Sequence, residues 1–209
     1  TVKASRDDGK HAYIRLTLFS PLTRKVIGDI YEDLAKHAFV DGILFHDDAV
    51  LTDYEDASPQ ALEHYAKNWN LPNNVETIRA DPKLMAQWTG NKTKELNAFT
   101  VELADRVKQY RPHIKTARNL YARVVTEPES EAWFAQSLQS FLDTYHWVAV
   151  MAMPYMEKAT NPEKWLDELV RAIGKTPGAL KKTVFELQSV DWDKKMPLPS
   201  EKLHEHMRR

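Results

Sequence analysis

The sequence predicts an α/β fold in which the strands of a parallel sheet alternate with helices. Three observations support this prediction. Short apolar runs bounded by polar residues, which are typical of strands, recur five times along the chain. Segments with apolar residues three and four positions apart, which are typical of amphipathic helices, separate these runs. No tight hairpin turn joins two of the runs, and strands that are joined by helices pair in parallel.

The first two predicted elements are a strand from His11 to Phe19 and a helix from Thr23 to about Ala38. The strand residues alternate and include β-branched and aromatic side chains, and Ser20-Pro21 ends the run. In the helix, apolar residues recur at spacings of three and four. A second strand over Gly42 to Phe45 follows, so the three elements form a βαβ unit with a right-handed crossover.

The strand from Gly42 to Phe45 is expected to be buried, because its residues are apolar and too few for a buried helix. It ends in His46, Asp47 and Asp48. In barrel and doubly wound α/β enzymes the chemistry lies at the carboxyl ends of the strands, where the loops open to substrate. The alternative is that one of the two acids caps the next helix and the other is solvated.

Beyond this loop, Ser58-Pro59 predicts the start of a helix that runs to Trp69. Residues 70–80 are predicted to be a loop, and a long helix from Pro82 to Tyr110 is predicted to be interrupted near Gly90. The elements predicted for the rest of the chain are a weak strand over 114–122, a helix over 129–142, a strand over 147–153, a helix over 161–174, a strand over 183–190 and a helix over 200–209.

These units amount to roughly five of the eight in a (β/α)8 barrel, which takes about 250 residues. We therefore expect a TIM-barrel-like domain, present over residues 1–209 as a single incomplete barrel. A doubly wound sheet that is complete in itself is the alternative. The chain begins in polar sequence without an initiating Met, so we expect it to be part of a longer protein.

Composition excludes several classes of protein. The chain has no cysteine, which excludes disulfides, thiol nucleophiles and cysteine zinc sites. Its 29 Lys and Arg residues against 30 Asp and Glu give a formal net charge of −1, without the basic excess of a nucleic-acid-binding protein. No apolar run reaches membrane-spanning length, so no direct membrane insertion is expected. A glycine-rich phosphate loop is also absent, and we expect no cofactor.

The carboxyl ends of the predicted strands bring candidate catalytic groups together. Glycoside hydrolysis uses two carboxyl groups about 5 to 9.5 Å apart, one of them a general acid. Successive strand residues point to opposite faces, so Asp47 and Asp48 are not expected to be that pair. We expect Asp47 to act as the acid, Asp48 to support it and Glu186 to be the candidate partner. An ion pair between Glu186 and Lys182 is the alternative.

The residues predicted to bind substrate lie at these strand ends, in the first strand or in the loops that follow. They are Tyr13, Arg15, His46, Asn119, Tyr121, Trp133, Tyr155 and Trp192. Trp133 and Trp192 could stack on sugar rings, and core packing is the alternative for both. Imidazole and carboxylates also bind divalent ions, but adjacent residues rarely converge on one ion, so we expect no metal at His46 to Asp48.

Three segments carry a family resemblance: Phe45 to Ala49, Asp53 to Asp56 and Val150 to Glu157. With them, the chain resembles over its whole length the C-terminal hydrolase domain of the bacterial poly-β-1,6-N-acetylglucosamine deacetylases, the PgaB family. The resemblance implies a (β/α)8-type glycoside hydrolase domain. It also implies the substrate, partially de-N-acetylated poly-N-acetylglucosamine, which is a biofilm exopolysaccharide, and a place in the periplasm.

The resemblance further implies roles for residues and partners for the full-length protein. In the family the first acid of the strand-end pair is catalytic, which matches Asp47, and Asp48 lines the same groove. Tyr13 and Trp133 match sugar-contacting positions. Family members carry a metal-dependent deacetylase domain before this one, on an outer-membrane lipoprotein, and an export porin is an expected partner.

These 209 residues do not include the deacetylase domain, so we do not assign deacetylation to them. The alternative to a hydrolase is a non-catalytic domain that holds the polysaccharide for deacetylation and export.

Overall fold

The computed structural model describes residues 1–6 and 14–209. At its centre is a four-stranded parallel sheet with the order β1-β2-β3-β4. The strands are β1 (Gly42–Phe45), β2 (Lys115–Tyr121), β3 (Trp147–Ala152) and β4 (Thr183–Leu187). Each strand lies beside the one before it in sequence, without the reversal of a doubly wound sheet. The predicted α/β fold with an incomplete barrel is confirmed, with four parallel strands in the described ranges.

Helices connect and flank the strands. They are α1 (Pro21–His37), α2 (Pro59–Trp69), α3 (Val75–Ala80), α4 (Pro82–Lys108), α5 (Ala122–Thr126), α6 (Glu131–Phe134), α7 (Leu138–Thr144), α8 (Pro162–Gly174) and α9 (Ser200–Met207). Short 3-10 turns cover Pro128–Ser130 and Ala179–Lys182, and β5 (Val190–Asp191) pairs with β6 (Met196–Pro197) in an antiparallel hairpin. Within residues 1–6 and 14–209, no helix combines the length and apolarity needed to cross a membrane.

Polar caps determine where several helices begin, as the sequence predicts for α2, whereas α1 begins two residues before the predicted Thr23. The side chains of Ser20 and Ser58 accept hydrogen bonds from backbone N–H groups at the starts of α1 and α2, and a proline follows each cap. Asp81 and Asn161 play the same part at α4 and α8. A cap of this kind contributes about 1 kcal/mol to helix stability.

The main hydrophobic core lies between one face of the sheet and the helices. Phe45, Leu120 and Val150 lie on this face and belong to a buried cluster that includes residues of α4, α7 and α8. Leu120 and Val150 have no exposed surface. Burying an apolar side chain of this size contributes about 1.5–3 kcal/mol, so the strands and the helices stabilise each other.

The parallel register determines which residues share the opposite face of the sheet, which we call the inner face. Asn119 pairs with Ala149, while Tyr121 and Glu186 both pair with Met151. Paired residues on neighbouring parallel strands point to the same face, and so do residues two apart on one strand. Asn119, Tyr121 and Glu186 therefore lie together on the inner face.

The predicted first strand is wrong in its described part. Residues 14–19 form no strand, although Val2 N donates a hydrogen bond to Arg15 O. Ile14 and Leu16 are 82% and 56% exposed. An alternating pattern becomes a strand only where a neighbouring strand takes up its backbone hydrogen bonds, and the described sheet contains none at this segment. The rest of the predicted strand, including Tyr13, lies outside the described residues.

The prediction that β1 is a buried strand is also wrong in part. Phe45 is buried and stacks on Tyr31, with ring centroids 6.1 Å apart. Leu44, in contrast, is half exposed, because β1 lies at the edge of the described sheet and Leu44 shares the inner face with Ala117 rather than the helix-covered face. The apolar run predicted the strand correctly but not its position at an edge.

Two further errors concern the connection between β1 and β2. The predicted loop over 70–80 contains α3, which Asn74 caps and which buries Val75 and Ile78. The long helix α4 continues through Gly90 without the predicted interruption. A glycine in a helix costs about 1 kcal/mol relative to alanine, and the burial of residues such as Trp88 and Leu96 in α4 outweighs that cost.

The predicted helix over 129–142 is also wrong, because it is broken into a 3-10 turn, α6 and α7. Ala135 ends α6 in the left-handed region, with φ 50°, and Ser137 caps α7. Apolar residues continue across the break with helical spacing, so periodicity alone does not reveal it. Likewise the strand predicted over 183–190 ends at Leu187, and the β5–β6 hairpin follows it.

Candidate active site

The carboxyl ends of β1 and β2 bring an acid and a phenol into contact. Asp47 follows β1 and is 9% exposed. The hydroxyl of Tyr121, the last residue of β2, donates a hydrogen bond of 2.8 Å to Asp47 Oδ2. On the other side, His46 Nδ1 lies 2.7 Å from Asp47 Oδ1. These two contacts hold the carboxyl group of Asp47 in one orientation at the end of a rigid strand.

Asp48 is more exposed than Asp47, although both lie in the turn after β1 rather than in the strand. The side chain of Asp48 is 66% exposed and that of Asp47 is 13% exposed. Even so, Asp48 Oδ2 lies 3.3 Å from the same His46 Nδ1, and one ligand atom from each of the three residues fits within 4.8 Å. The turn after β1 breaks the alternation of the strand, so the three side chains converge more than adjacent strand residues would. These contacts are ordinary imidazole–carboxylate interactions, and we assign no metal to them.

Asn119 and Glu186 meet on the inner face, across β3. Asn119 Nδ2 donates to Glu186 Oε2 at 2.6 Å. The alternative of a Glu186 ion pair with Lys182 is wrong, because Lys182 Nζ binds the backbone oxygen of Leu142 instead. The contact between Asn119 and Glu186 explains why these two polar residues can lie inside β2 and β4, because each is the hydrogen-bond partner of the other.

Two buried glutamines support the strand ends, and neither was among the predicted site residues. Gln136 Oε1 accepts a 3.0 Å hydrogen bond from the backbone N–H of Tyr121. Gln188 Oε1 accepts from the backbone N–H groups of Tyr155 and Met156, at 3.1 Å each. The signal available in the sequence was a glutamine inside a predicted helix or strand, which is too common to single out a residue.

The predicted stacking residues are exposed rather than packed in the core. Trp133 of α6 is 38% exposed, with the guanidinium of Arg123 4.8 Å from its ring centroid. Its neighbour Phe134 stacks on Tyr121, with ring centroids 4.6 Å apart, so α6 packs directly against the tyrosine that binds Asp47. Trp192 in the β5–β6 hairpin is 51% exposed. Core packing is therefore wrong as the alternative for both tryptophans.

A further acid that sequence reasoning did not single out lies after β3. Burial raises the pKa of Glu157 above its ordinary value, with Arg123 opposing the rise and Glu127 adding to it. Arg123 Nε also binds Glu127 Oε2 at 2.9 Å. A carboxyl group with a raised pKa beside the strand ends is the kind of group that general acids are drawn from.

Arg15 supports the loop after β1. Its guanidinium binds Glu55 Oε1 at 2.5 Å and Val50 O at 2.8 Å, and Glu55 is only 1% exposed. The structure therefore places Arg15 in an ion pair that orders this loop.

Tyr155, which is half-buried, lies near His206, with ring centroids 6.3 Å apart.

Lys92 of α4 also binds the loop that follows β1. It is fully buried, and its ammonium group donates to Thr52 O at 2.6 Å and Glu55 O at 3.0 Å. The ring of Trp88 lies 3.7 Å away. Burial lowers the pKa of Lys92 to about 7, while the carboxylates of the loop raise it and Arg79 lowers it. Lys92 thus helps to anchor the loop that follows Asp47 and Asp48, through two backbone oxygens.

We expect Lys92 to make the stability of the protein depend on pH. Its pKa is about 7 in the folded state and 10.5 ordinarily, so between these values the unfolded chain holds a proton that the folded chain releases. The free energy of unfolding therefore rises with pH over this window, by at most about 1.4 kcal/mol per unit. Below about pH 7 Lys92 is charged in both the folded and the unfolded state. The cost of burying that charge then lowers the free energy of unfolding by its full amount.

Urea unfolding at several pH values between 7 and 9.5 checks this expectation. Lys92→Met should lack the rise in stability that the wild type shows. Lys94→Met removes an exposed lysine of the same helix and should keep it. Parallel stability curves for the wild type and Lys92→Met would contradict the assignment.

A parallel barrel-type sheet with a buried, hydrogen-bonded acid at its strand ends has the architecture of a barrel-type enzyme, and glycoside hydrolases are a class of such enzymes that uses carboxyl groups in this position. The family described as "Hypothetical glycosyl hydrolase family 13" matches residues 1–209, and the chain belongs to this family.

The similar proteins agree with this family. Poly-beta-1,6-N-acetyl-D-glucosamine N-deacetylases from two strains of Escherichia coli are each 48% identical to this chain over 185 residues. The match covers 87% of this chain but 27% of each relative, so the chain spans about a quarter of their length. The PgaB (BpsB) glycoside hydrolase domain from Bordetella bronchiseptica superposes with a TM-score of 0.94 and 46% identity, over 99% of this chain and 60% of that one. The predicted resemblance to the PgaB family is confirmed.

Proposed function

We propose that this domain is an endo-acting glycoside hydrolase that cleaves partially de-N-acetylated poly-β-1,6-N-acetylglucosamine. The observation that carries the proposal is the contact of Asp47 with Tyr121 at adjoining strand ends. The names of the similar proteins, a deacetylase of this polymer and a glycoside hydrolase domain, support the choice of substrate.

In the proposed mechanism Asp47 is the general acid. It donates a proton to the glycosidic oxygen as the bond from that oxygen to the anomeric carbon breaks, and the leaving sugar departs as an alcohol. The oxygen of a water molecule then takes its place on the anomeric carbon, either directly or after a covalent glycosyl-enzyme intermediate. Tyr121 and His46 keep the carboxyl group aimed at that oxygen. Asp48 stands beside the acid as an exposed second charge.

The second carboxylate in this proposal is Glu186, which Asn119 holds on the same sheet face as Tyr121. Glu157 is the competing candidate, because burial raises its pKa. Replacing each by glutamine in turn and measuring cleavage separates the two, since loss of the true partner removes the nucleophile or base.

The exposed groups around Asp47 suit a cationic polysaccharide. De-N-acetylation leaves glucosamine units with ammonium groups, which carboxylates such as Asp48 attract. The exposed ring of Trp133 offers a flat surface on which a sugar can stack, and Trp192 is a second such surface.

Tyr13 and Arg15 stay predictions as sugar contacts. So do the periplasmic location and the export porin of the full-length protein.

The proposal is tested by incubating the protein with polymers that are fully acetylated, partially deacetylated and fully deacetylated, and following their chain length. We expect the partially deacetylated polymer to be shortened by internal cleavage and the fully acetylated one to stay long. Binding without any shortening would overturn the hydrolase and favour a polysaccharide-holding domain. Neither binding nor cleavage would overturn both.

A further inference from the structure

A cavity of about 550 Å³ lies between the start of α4 and the segment from Pro128 to α6, which we call the α4–α6 cavity. We propose that it is a distal subsite that binds a glucosaminyl unit of the polysaccharide away from the cleavage point. This inference rests on the proposed function, because it takes the same polymer as its ligand. A volume of a few hundred Å³ is typical of small-ligand sites.

The lining of the cavity matches the surface of an amino sugar. One part is apolar, with Pro82, Met85 and Ala86 from α4 facing Pro128 and Ala132. The other part is polar, with Arg79, Thr89, Glu129 and Glu131. A pyranose ring has an apolar C–H face and polar edges, and the ammonium group of glucosamine pairs with carboxylates.

Two polar atoms at the cavity have unused hydrogen-bonding capacity. Thr89 is 8% exposed, and within residues 1–6 and 14–209 its hydroxyl has no hydrogen-bond partner. The same holds for Arg79 Nε. Leaving a buried polar atom unpaired costs about 1–3 kcal/mol, so native proteins rarely do so without a reason. Both residues line the cavity, so a bound sugar that shifts either side chain would supply a partner.

Two of the three charged groups of the cavity, those of Glu131 and Arg79, are already held in place. Thr93 Oγ1 donates to Glu131 Oε1 at 2.6 Å, which orients that carboxylate. Arg79 binds Asp53 at 2.8 Å and lies 3.6 Å above the ring of Tyr54. Side chains that are ordered before the ligand arrives lose less conformational freedom on binding, so the site is preorganised.

Two lining residues connect the cavity to the candidate active site. Ala132 lines it, and the next residue along α6 is Trp133. Arg79 lines it too, and its partner Asp53 belongs to the loop that follows Asp47 and Asp48. In this proposal a polymer that passes the acids and Trp133 continues into the cavity, whereas a short oligomer at the cleavage point does not extend that far.

Gly90 provides the test, because it lines the cavity and a Cβ built on it meets no atom within 4 Å. Gly90→Trp should fill the cavity with an indole ring. The matched control is Ala98→Trp, which adds the same ring at an exposed position about two turns further along α4, outside the cavity. Binding of a glucosamine trimer and of longer β-1,6-linked oligomers is measured by calorimetry, with Asp47→Asn in every protein to prevent cleavage.

We expect the longer oligomers to bind about tenfold more tightly than the trimer, which one charge-assisted hydrogen bond at the distal unit can supply. Gly90→Trp should abolish this gain, and Ala98→Trp should keep it. Glu129→Gln should lower the affinity for long glucosamine oligomers but not for their N-acetylated forms. If Gly90→Trp unfolds, Thr89→Val at the same cavity should reduce the gain.

Unaltered length dependence in both cavity variants would overturn the subsite. The chain-length assay, run in parallel on the protein with Asp47 intact, keeps this failure separate from a failure of the proposed function. Cleavage without a cavity effect removes only the subsite. Absence of both cleavage and trimer binding removes the proposed function, and the subsite with it.

Discussion

Asp47→Asn is expected to slow cleavage of partially deacetylated poly-N-acetylglucosamine by about 10²–10⁴-fold, the usual contribution of a general acid. An amide has the shape of the carboxyl group but cannot donate its proton to the leaving oxygen. The hydroxyl of Tyr121 can still donate to the remaining oxygen at this position, so the local structure should persist. Affinity for the polymer should change much less than the rate.

The measurement is the rate of new reducing ends, together with binding and urea unfolding of each variant. Asp41→Asn is the matched control, because Asp41 is an exposed acid that immediately precedes β1 at the opposite end from Asp47. It should leave the rate unchanged. Asp48→Asn should cause a smaller loss than Asp47→Asn, since its side chain is largely exposed. Equal rates for Asp47→Asn and the wild type would remove Asp47 from the mechanism.

Arg118→Met is expected to lower the free energy of unfolding by about 3 kcal/mol, because it removes charge-assisted hydrogen bonds in the core. Arg118 has no exposed surface. Its guanidinium donates to Asn97 Oδ1 at 2.9 Å, Tyr145 Oη at 3.0 Å and Ala49 O at 3.0 Å. Methionine has a similar length but no donor, so the carbonyl of Ala49 would lose this partner.

Arg118→Met should also slow cleavage. Ala49 lies two residues after Asp47, and without its hydrogen bond to Arg118 the turn that positions Asp47 is held less firmly. Urea unfolding and the rate of new reducing ends measure the two effects. Arg171→Met, at an exposed position of α8, is the control and should change stability by no more than about 0.5 kcal/mol. If the two variants are equally stable, the buried network does not hold the turn.

Local chemistry explains which parts of the fold were predictable. Helix starts at Ser58 and Asn161 depend on a side chain and the three or four residues after it, so the sequence carries their full signal. The apolar run of β3 is similar, because a strand that is buried except at Trp147 needs apolar residues almost throughout. The same reasoning placed Asp47 at a strand end, since the apolar run stops there.

Errors arose where distant residues decide local structure. Residues 14–19 alternate like a strand but have no strand beside them in the described sheet. The continuity of α4 through Gly90 depends on what α4 buries. The ion pair of Arg15 with Glu55, 40 residues away, leaves no pattern in the sequence, and Lys92 was not singled out because its contacts are with backbone oxygens.

By itself, the sequence determined the alternation of strands and helices, the acidic strand end at Asp47 and the family to which the chain belongs. Only the tertiary structure decided that Tyr121 holds Asp47, that Asn119 holds Glu186 and that a cavity opens beside Gly90. The physical reason is that patterns record the spacing of residues along one element. The register between strands and the packing of helices on the sheet bring together residues that no spacing relates.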